Sequence, residues 1–176
     1  MGLFEWLTGR APRPQSGEAD VETVRRITRE LDELEPDHAR YVACFAYVLG
    51  RVAHADLDIS EDETRAMEEL ISERAALPAD QAVLVAAMAK QHNELFGGTE
   101  NFLVTREFER LADRGQKLAL LDCLFAVSAS DGSVSGDEDA EVRKIASELK
   151  LDHRDFIAAR ARYVEHLEVM KDESQA

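Results

Sequence analysis

Val127-Ser-Ala-Ser-Asp131-Gly132-Ser133-Val134-Ser135-Gly136-Asp137-Glu138 closes an apolar stretch, turns on a run of acids, and opens a new helical pattern. The stretch Val52-Ala-His-Ala-Asp56-Leu57-Asp58-Ile59-Ser60-Glu61-Asp62-Glu63 does the same 75 residues earlier. Val52, Asp56, Ser60, Asp62 and Glu63 recur as Val127, Asp131, Ser135, Asp137 and Glu138. The apolar positions around them follow: Leu49 with Leu124, Ile59 with Val134, Met67 with Val142, Leu70 with Ile145. A match that carries its helical periodicity with it points to an internal duplication. The unit is a helical hairpin bent at an acidic corner.

Each corner holds a Ser-x-x-Glu, at Ser60–Glu63 and at Ser135–Glu138. That spacing is a capping box: the serine accepts from an N–H in the first turn, and the glutamate reaches back to the N–H of the serine. Read this way, the glutamates start helices. Asp56 and Asp131 sit where the preceding helix ends, and negative charge there is disfavoured by roughly 0.3–1 kcal/mol. Aspartate is also an ordinary turn former, and Asp-Gly marks a turn. Two carboxylates about 5 Å apart at an effective dielectric of about 20 repel by roughly 3 kcal/mol. A hard divalent cation held by oxygen ligands offsets that repulsion, and so does screening salt at an exposed turn. Asp131-x-Ser133-x-Ser135-Gly136 imitates the start of a calcium-binding EF-hand loop. Glu138 then falls where an apolar residue belongs, and Val142 where the bidentate glutamate belongs, so an EF-hand is rejected.

Outward from the corners the chain reads as helix throughout. Val21, Val24, Ile27, Leu31 and Leu34 recur at helical spacing over residues 18–34, up to Pro36. Tyr41, Phe45, Val48, Leu49 and Val52 lie on a helix over about 38–56 that is apolar nearly all round, as a buried central helix is. Met67, Leu70 and Ile71 form the face of the next, which Leu77-Pro78 breaks. An alanine-rich helix with Leu84, Met88 and Leu95 runs to Gly97-Gly98, and a fifth places Val104, Phe108 and Leu111 inward. The sixth, over about 116–130, repeats the apolar character of the second. A seventh carries Val142, Ile145 and Leu149, and a last one Phe156, Tyr163, Leu167 and Met170. The expected fold is all-α, a compact bundle of about seven to eight helices made of two pseudo-symmetric hairpin repeats. It occupies residues 18–170, with a flexible tip and linker over 1–17 and a frayed end over 171–176.

Composition bounds the function. The 176 residues carry a formal net charge of −15, which argues against nucleic acid or an anionic membrane as partner and for a cation or a basic protein surface. Cys44 and Cys123 lie far apart in apolar stretches and read as reduced, buried thiols. No apolar run approaches the ~20 residues a membrane span requires, and no secretory signal is present, so the expected location is the cytoplasm. Phe4, Trp6 and Leu7 form an apolar tip that is too short to hold a membrane by itself, which leaves peripheral contact through residues 1–7 disfavoured.

Other chemistry is missing. Glu35-Pro-Asp-His38 alone has Glu-x-x-His spacing, and Pro36 interrupts it; no zinc cluster, phosphate loop or nucleophile elbow occurs. His54 lies two residues before Asp56 and reads as a partly exposed helix histidine. His38, His92, His153 and His166 are scattered and receive no role. Arg154, Arg160 and Arg162 read as a solvated face.

Val-Ala-His-Ala-Asp56 with Ile59 and Glu63, and Val-Ser-Ala-Ser-Asp131-Gly132 with Val134 and Glu138, resemble the paired A-D-G-x-[IV]-x-x-x-E motif of the TerB-like (tellurite-resistance protein B) family. That domain also opens a membrane-anchored J-domain co-chaperone. Arg143 through Arg160 is similar to the stretch after the second motif in stand-alone bacterial members, and the likeness spans about residues 20–165. The resemblance implies a non-enzymatic helical module linked to tellurite and other chemical stress, binding a divalent metal ion through Asp56, Glu63, Asp131 and Glu138. Leu57 departs from the motif glycine, which is costly if that position needs a left-handed backbone. Asp58 stands opposite Ser133, so the corners differ chemically. No His-Pro-Asp signature follows, so co-chaperone activity is not implied. Two other readings stand beside this one: a metal-free helical scaffold for an unidentified protein partner, and, ranked lower, a hydrolase with a metal-bound water.

Overall fold

The structure, a computed structural model, describes residues 18–53, 61–91 and 101–167. The tip, the first corner with His54, Asp56, Leu57 and Ser60, the Gly97-Gly98 turn and Met170 lie outside the described residues.

Among the described residues there are eight α-helices: α1 Glu18–Asp32, α2 Pro36–Ala53, α3 Glu61–Arg74, α4 Ala79–Lys90, α5 Asn101–Leu111, α6 Arg114–Ser128, α7 Gly136–Glu148 and α8 His153–Ala161. Two single 3-10 turns cover Ala129–Asp131 and Val164–His166. The expected all-α class is what the chain adopts. Moved along by 75 residues, the bounds of α3 coincide with the start of α7, and α2 falls on α6.

Two helices make the centre. In α2 every residue from Tyr41 to Gly50 is buried, and in α6 Leu120, Leu121 and Cys123 through Ser128 are buried. α2 packs on α4, α5 and α6, while α3 packs on α4 and α6. Tyr41, Phe45 and Phe108 meet ring on ring in one half, Phe125, Phe156 and Tyr163 in the other. Both cysteines are free and buried, and burial pushes each thiol up to about 12. Among the described residues no helix is long and apolar enough to cross a membrane.

Local chemistry sets the boundaries. Pro36 takes the first position of α2, where its missing N–H costs nothing. The Glu35 carboxylate accepts from the N–H groups of Asp37 and His38 at 3.1 and 3.2 Å, so Glu35 caps the start of α2. Asp113 and Gln116 make a complete capping box on α6. After α7, Leu151 N–H bonds to the Ala146 carbonyl and Lys150 N–H to that of Ser147, both at 3.0 Å, with Lys150 at φ 57°. That is a Schellman stop with lysine in the left-handed position usually given to glycine.

The last helix is shorter than its apolar stripe suggests. It stops at Ala161, and Tyr163 and Leu167 are buried from outside it. The reason is tertiary: the chain leaves the helix to pair main chain with Val134 in a single β-bridge to Leu167.

Candidate functional site: the second acidic corner

The buried end of α6 runs directly into the 3-10 turn Ala129–Asp131. Gly132 follows at φ 96°, in the left-handed region, and reverses the chain. That is the role Asp-Gly predicts. Val134 is fully buried, and Ser135 takes an extended backbone to cap α7. The capping box is complete. Ser135 Oγ accepts from Glu138 N–H at 3.2 Å. Glu138 Oε2 accepts from both the N–H and the hydroxyl of Ser135 at 2.8 Å.

Asp137, Glu138 and Asp139 crowd the first turn of α7, and no basic residue lies in the last turn of α6. Asp139 has a counter-charge, Arg160 Nε at 2.8 Å. Glu138 is half-buried, and among the described residues its carboxylate meets only Ser135. Among the described residues, every other half-buried carboxylate from α5 onward faces a cation: Glu107 meets Arg110, Glu109 meets Lys117 and Lys150, Asp122 meets Arg74 and Arg162, Glu141 and Glu148 meet Arg51, and Asp155 meets Arg114. Ser128, at the end of α6, has a buried hydroxyl with no partner among the described residues.

Of the four expected ligands, Glu138 is placed and serves as the second half of the cap. Asp56 and the side chains of Glu63 and Asp131 lie outside what is described. Among the described residues no three His, Cys, Asp or Glu side chains gather as a metal site would need.

Two polar clusters escaped the sequence reading. Arg51 has 1% of its side chain exposed, and it bonds Glu141 through Nε at 2.9 Å, Glu148 through Nη1 at 2.7 Å, and Thr105 Oγ1 at 2.6 Å. It thereby ties the end of α2 to α5 and α7. An arginine inside an otherwise apolar helix, Leu49-Gly50-Arg51-Val52, was the available signal. Asp122 ties α3 to the end of α8 by accepting from Arg74 at 2.5 Å and Arg162 at 2.8 Å. Burial, then the Asp122 charge, pushes the Tyr163 phenol up to about 12. Arg162 lies on the solvated face expected of it, its side chain 64% exposed, and is also ion-paired; Arg160 is mostly buried against Asp139. His38 meets Gln81 across α2 and α4 at 2.8 Å. His166 Nδ1 lies 3.4 Å from the Gly132 carbonyl.

Compared with known proteins, residues 41–161 match the family model described as tellurite resistance protein TerB. No curated relative and no solved structure matches the chain.

Proposed function

The chain belongs to the tellurite resistance protein TerB family, and from that premise we propose that it is a binding module which takes a divalent cation at its acidic corners. The observation that carries this reading is Glu138: among the described residues it is a half-buried carboxylate without a counter-charge, while Asp139 in the same turn is paired with Arg160. A charge drawn partly out of water needs hydrogen bonds or an opposite charge to stay there. Glu138 has hydrogen bonds on one oxygen, and a cation shared with Asp131 would serve the other. Asp56 and Glu63 are the equivalent pair in the first corner, and the end of α2 and start of α3, which fall 75 residues before the end of α6 and start of α7, support reading the two halves as copies. Oxygen donors of this kind suit Mg2+, Mn2+ or Ca2+ better than a soft metal.

In this reading the module acts by binding, not by catalysis, in the cytoplasm, and its role lies in the stress and tellurite responses that give the family its name. Calorimetric titration with calcium, magnesium, manganese and zinc tests it. The expected result is saturable heat that Glu138→Gln and Asp131→Asn reduce. Absence of saturable heat with all four ions, or heat that both variants leave intact, sinks the reading. A phosphatase and nuclease screen with the same ions tests the non-enzymatic part.

One observation favours partner docking as a second reading. Phe102 and Leu103, adjacent at the start of α5, are each 54% exposed. Pull-down with Phe102→Ser/Leu103→Ser against the unmodified chain decides whether that pair recruits a partner; identical sets of captured proteins count against it.

A further inference from the structure

α7 and α8 are joined by the short turn Leu149–Asp152 and lie side by side as a helical hairpin. At the open end of the hairpin Arg160 Nε holds Asp139 at 2.8 Å, and at the closed end the left-handed Lys150 stops α7. A cavity of about 230 Å3 lies along the seam. Its floor is apolar, made by Ala146, Leu151 and Phe156, and Ala146 and Phe156 are buried. Its rim carries three donors: the Arg143 guanidinium, the Ser147 hydroxyl and the His153 imidazole. The His153 ring lies over Phe156, with centroids 6.3 Å apart and 29° between the planes. Ile157, one turn after His153 on the same side of α8, is 45% exposed and carries the apolar surface outward.

Charge decides what can sit there. The chain has 36 acids against 21 lysines and arginines, yet residues 143–154 hold four bases against two acids. Of those two acids, Glu148 is committed to Arg51, and Asp152 is the N-cap of α8. Lys150 and Arg160 on the same hairpin each hold an acid, whereas Arg143 meets none among the described residues. Physiological salt screens charge beyond about 8 Å, so a ligand in the groove answers to its rim and not to the net charge of the chain. Asp152 also lines the cavity and disfavours a second negative charge, which selects a carboxylate over a phosphate dianion.

We infer that the α7–α8 groove is a binding site for a small monocarboxylate with an apolar body. The body rests on Leu151 and Phe156, and Arg143 holds the carboxylate with Ser147 and His153 as further donors. The cavity falls below the roughly 300–1,000 Å3 of sites for drug-sized ligands, which sets the body at about one ring or one branched chain. The groove is distinct from the acidic corner and does not depend on the cation reading.

Titration of the full chain with sodium benzoate, followed by amide NMR at constant ionic strength, tests it. Expected are saturable shifts at Ser147, Leu151 and Phe156 with a dissociation constant on the order of a millimolar. Arg143→Gln should weaken binding about fivefold or more. Lys144→Gln removes the same charge from an exposed position on the same helix outside the cavity, and should bind as the unmodified chain does. Benzyl alcohol, the same ring without the charge, should bind about fivefold more weakly or worse. Absence of saturable shifts at these amides up to about 20 mM benzoate overturns the site. Unchanged affinity in Arg143→Gln overturns it too, as does an equal loss in Arg143→Gln and Lys144→Gln, which would reduce the effect to long-range attraction. Benzyl alcohol binding as tightly as benzoate leaves a plain apolar groove and overturns the carboxylate assignment.

Discussion

Arg51→Met should be among the most damaging single changes in this protein. The guanidinium is buried and neutralises part of two carboxylates, Glu141 and Glu148, whose side chains are 28% and 11% exposed. Methionine fills much the same volume but leaves both carboxylates facing an apolar side chain. Removing one partner of a buried ion pair costs about 3–5 kcal/mol. Glu141 keeps partial access to water, which places the expectation at the lower end, about 3 kcal/mol. With a urea slope of roughly 2 kcal/mol/M, the midpoint should fall by about 1.5 M. The second half of the test is a sign. If stranded carboxylate charge is the cause, adding Glu148→Gln to Arg51→Met should recover stability, while Glu148→Gln alone should cost some. Urea unfolding followed by circular dichroism, run as a double-mutant cycle, gives both numbers. A loss under about 1 kcal/mol for Arg51→Met, or a double variant no more stable than the single, refutes the account.

Three further outcomes are expected. Gly132→Ala should cost about 1–2 kcal/mol purely through its φ of 96°, because an added Cβ meets nothing within 4 Å; a neutral result in thermal unfolding means the turn is not fixed as described. Ser128→Ala should raise stability by about 1 kcal/mol, since the buried hydroxyl it removes has no partner among the described residues; a loss would reveal a partner there. Cys44 and Cys123 are pushed up from 9.0 to about 12 by burial, so the folded chain holds protons that the unfolded chain gives up as pH rises above 9. That stability is complete below about pH 9 and is lost toward pH 12. The urea midpoint should drop between those values, and drop less in a Cys44→Ala/Cys123→Ala variant when each is compared with its own midpoint at about pH 8.

What the sequence made legible is what local chemistry decides. Ser135-x-x-Glu138 announced a capping box and makes one; Asp131-Gly132 announced a turn, and Gly132 takes the left-handed backbone that turn requires. The apolar spacing in Tyr41–Val52 and Leu118–Phe125 announced two central helices, and both are buried. The clusters stayed hidden because their members are brought together only by packing. Arg51 meets Glu141 and Glu148 across 90 and 97 positions, and Arg162 meets Asp122 across 40. Neither partner carries a periodic signal that points to the other. The Val134–Leu167 bridge was hidden for the same reason. Tyr163 and Leu167 continue the stripe of α8 on paper, but the helix ends at Ala161 and Leu167 bridges Val134 instead.

The glutamate at 138 can be asked directly whether it is there for the helix or for a ligand. A capping box needs a carbonyl-type acceptor at its third position, and glutamine supplies one as well as glutamate. This chain does so itself: Gln116 accepts from the Asp113 N–H at 2.8 Å, the same length as the Glu138 bond to Ser135. A charge at 138 therefore exceeds what the cap requires. Its remaining structural use is with the helix dipole, worth about 0.3–1 kcal/mol, and Asp137 and Asp139 already supply negative charge in the same turn. Glu138→Gln should thus leave the unfolding midpoint nearly unchanged, within about 0.5 kcal/mol, while weakening divalent-cation binding at the corner. If the variant instead loses more than about 1 kcal/mol and binds cations as before, the charge belongs to the fold, and the corner has no need of an ion.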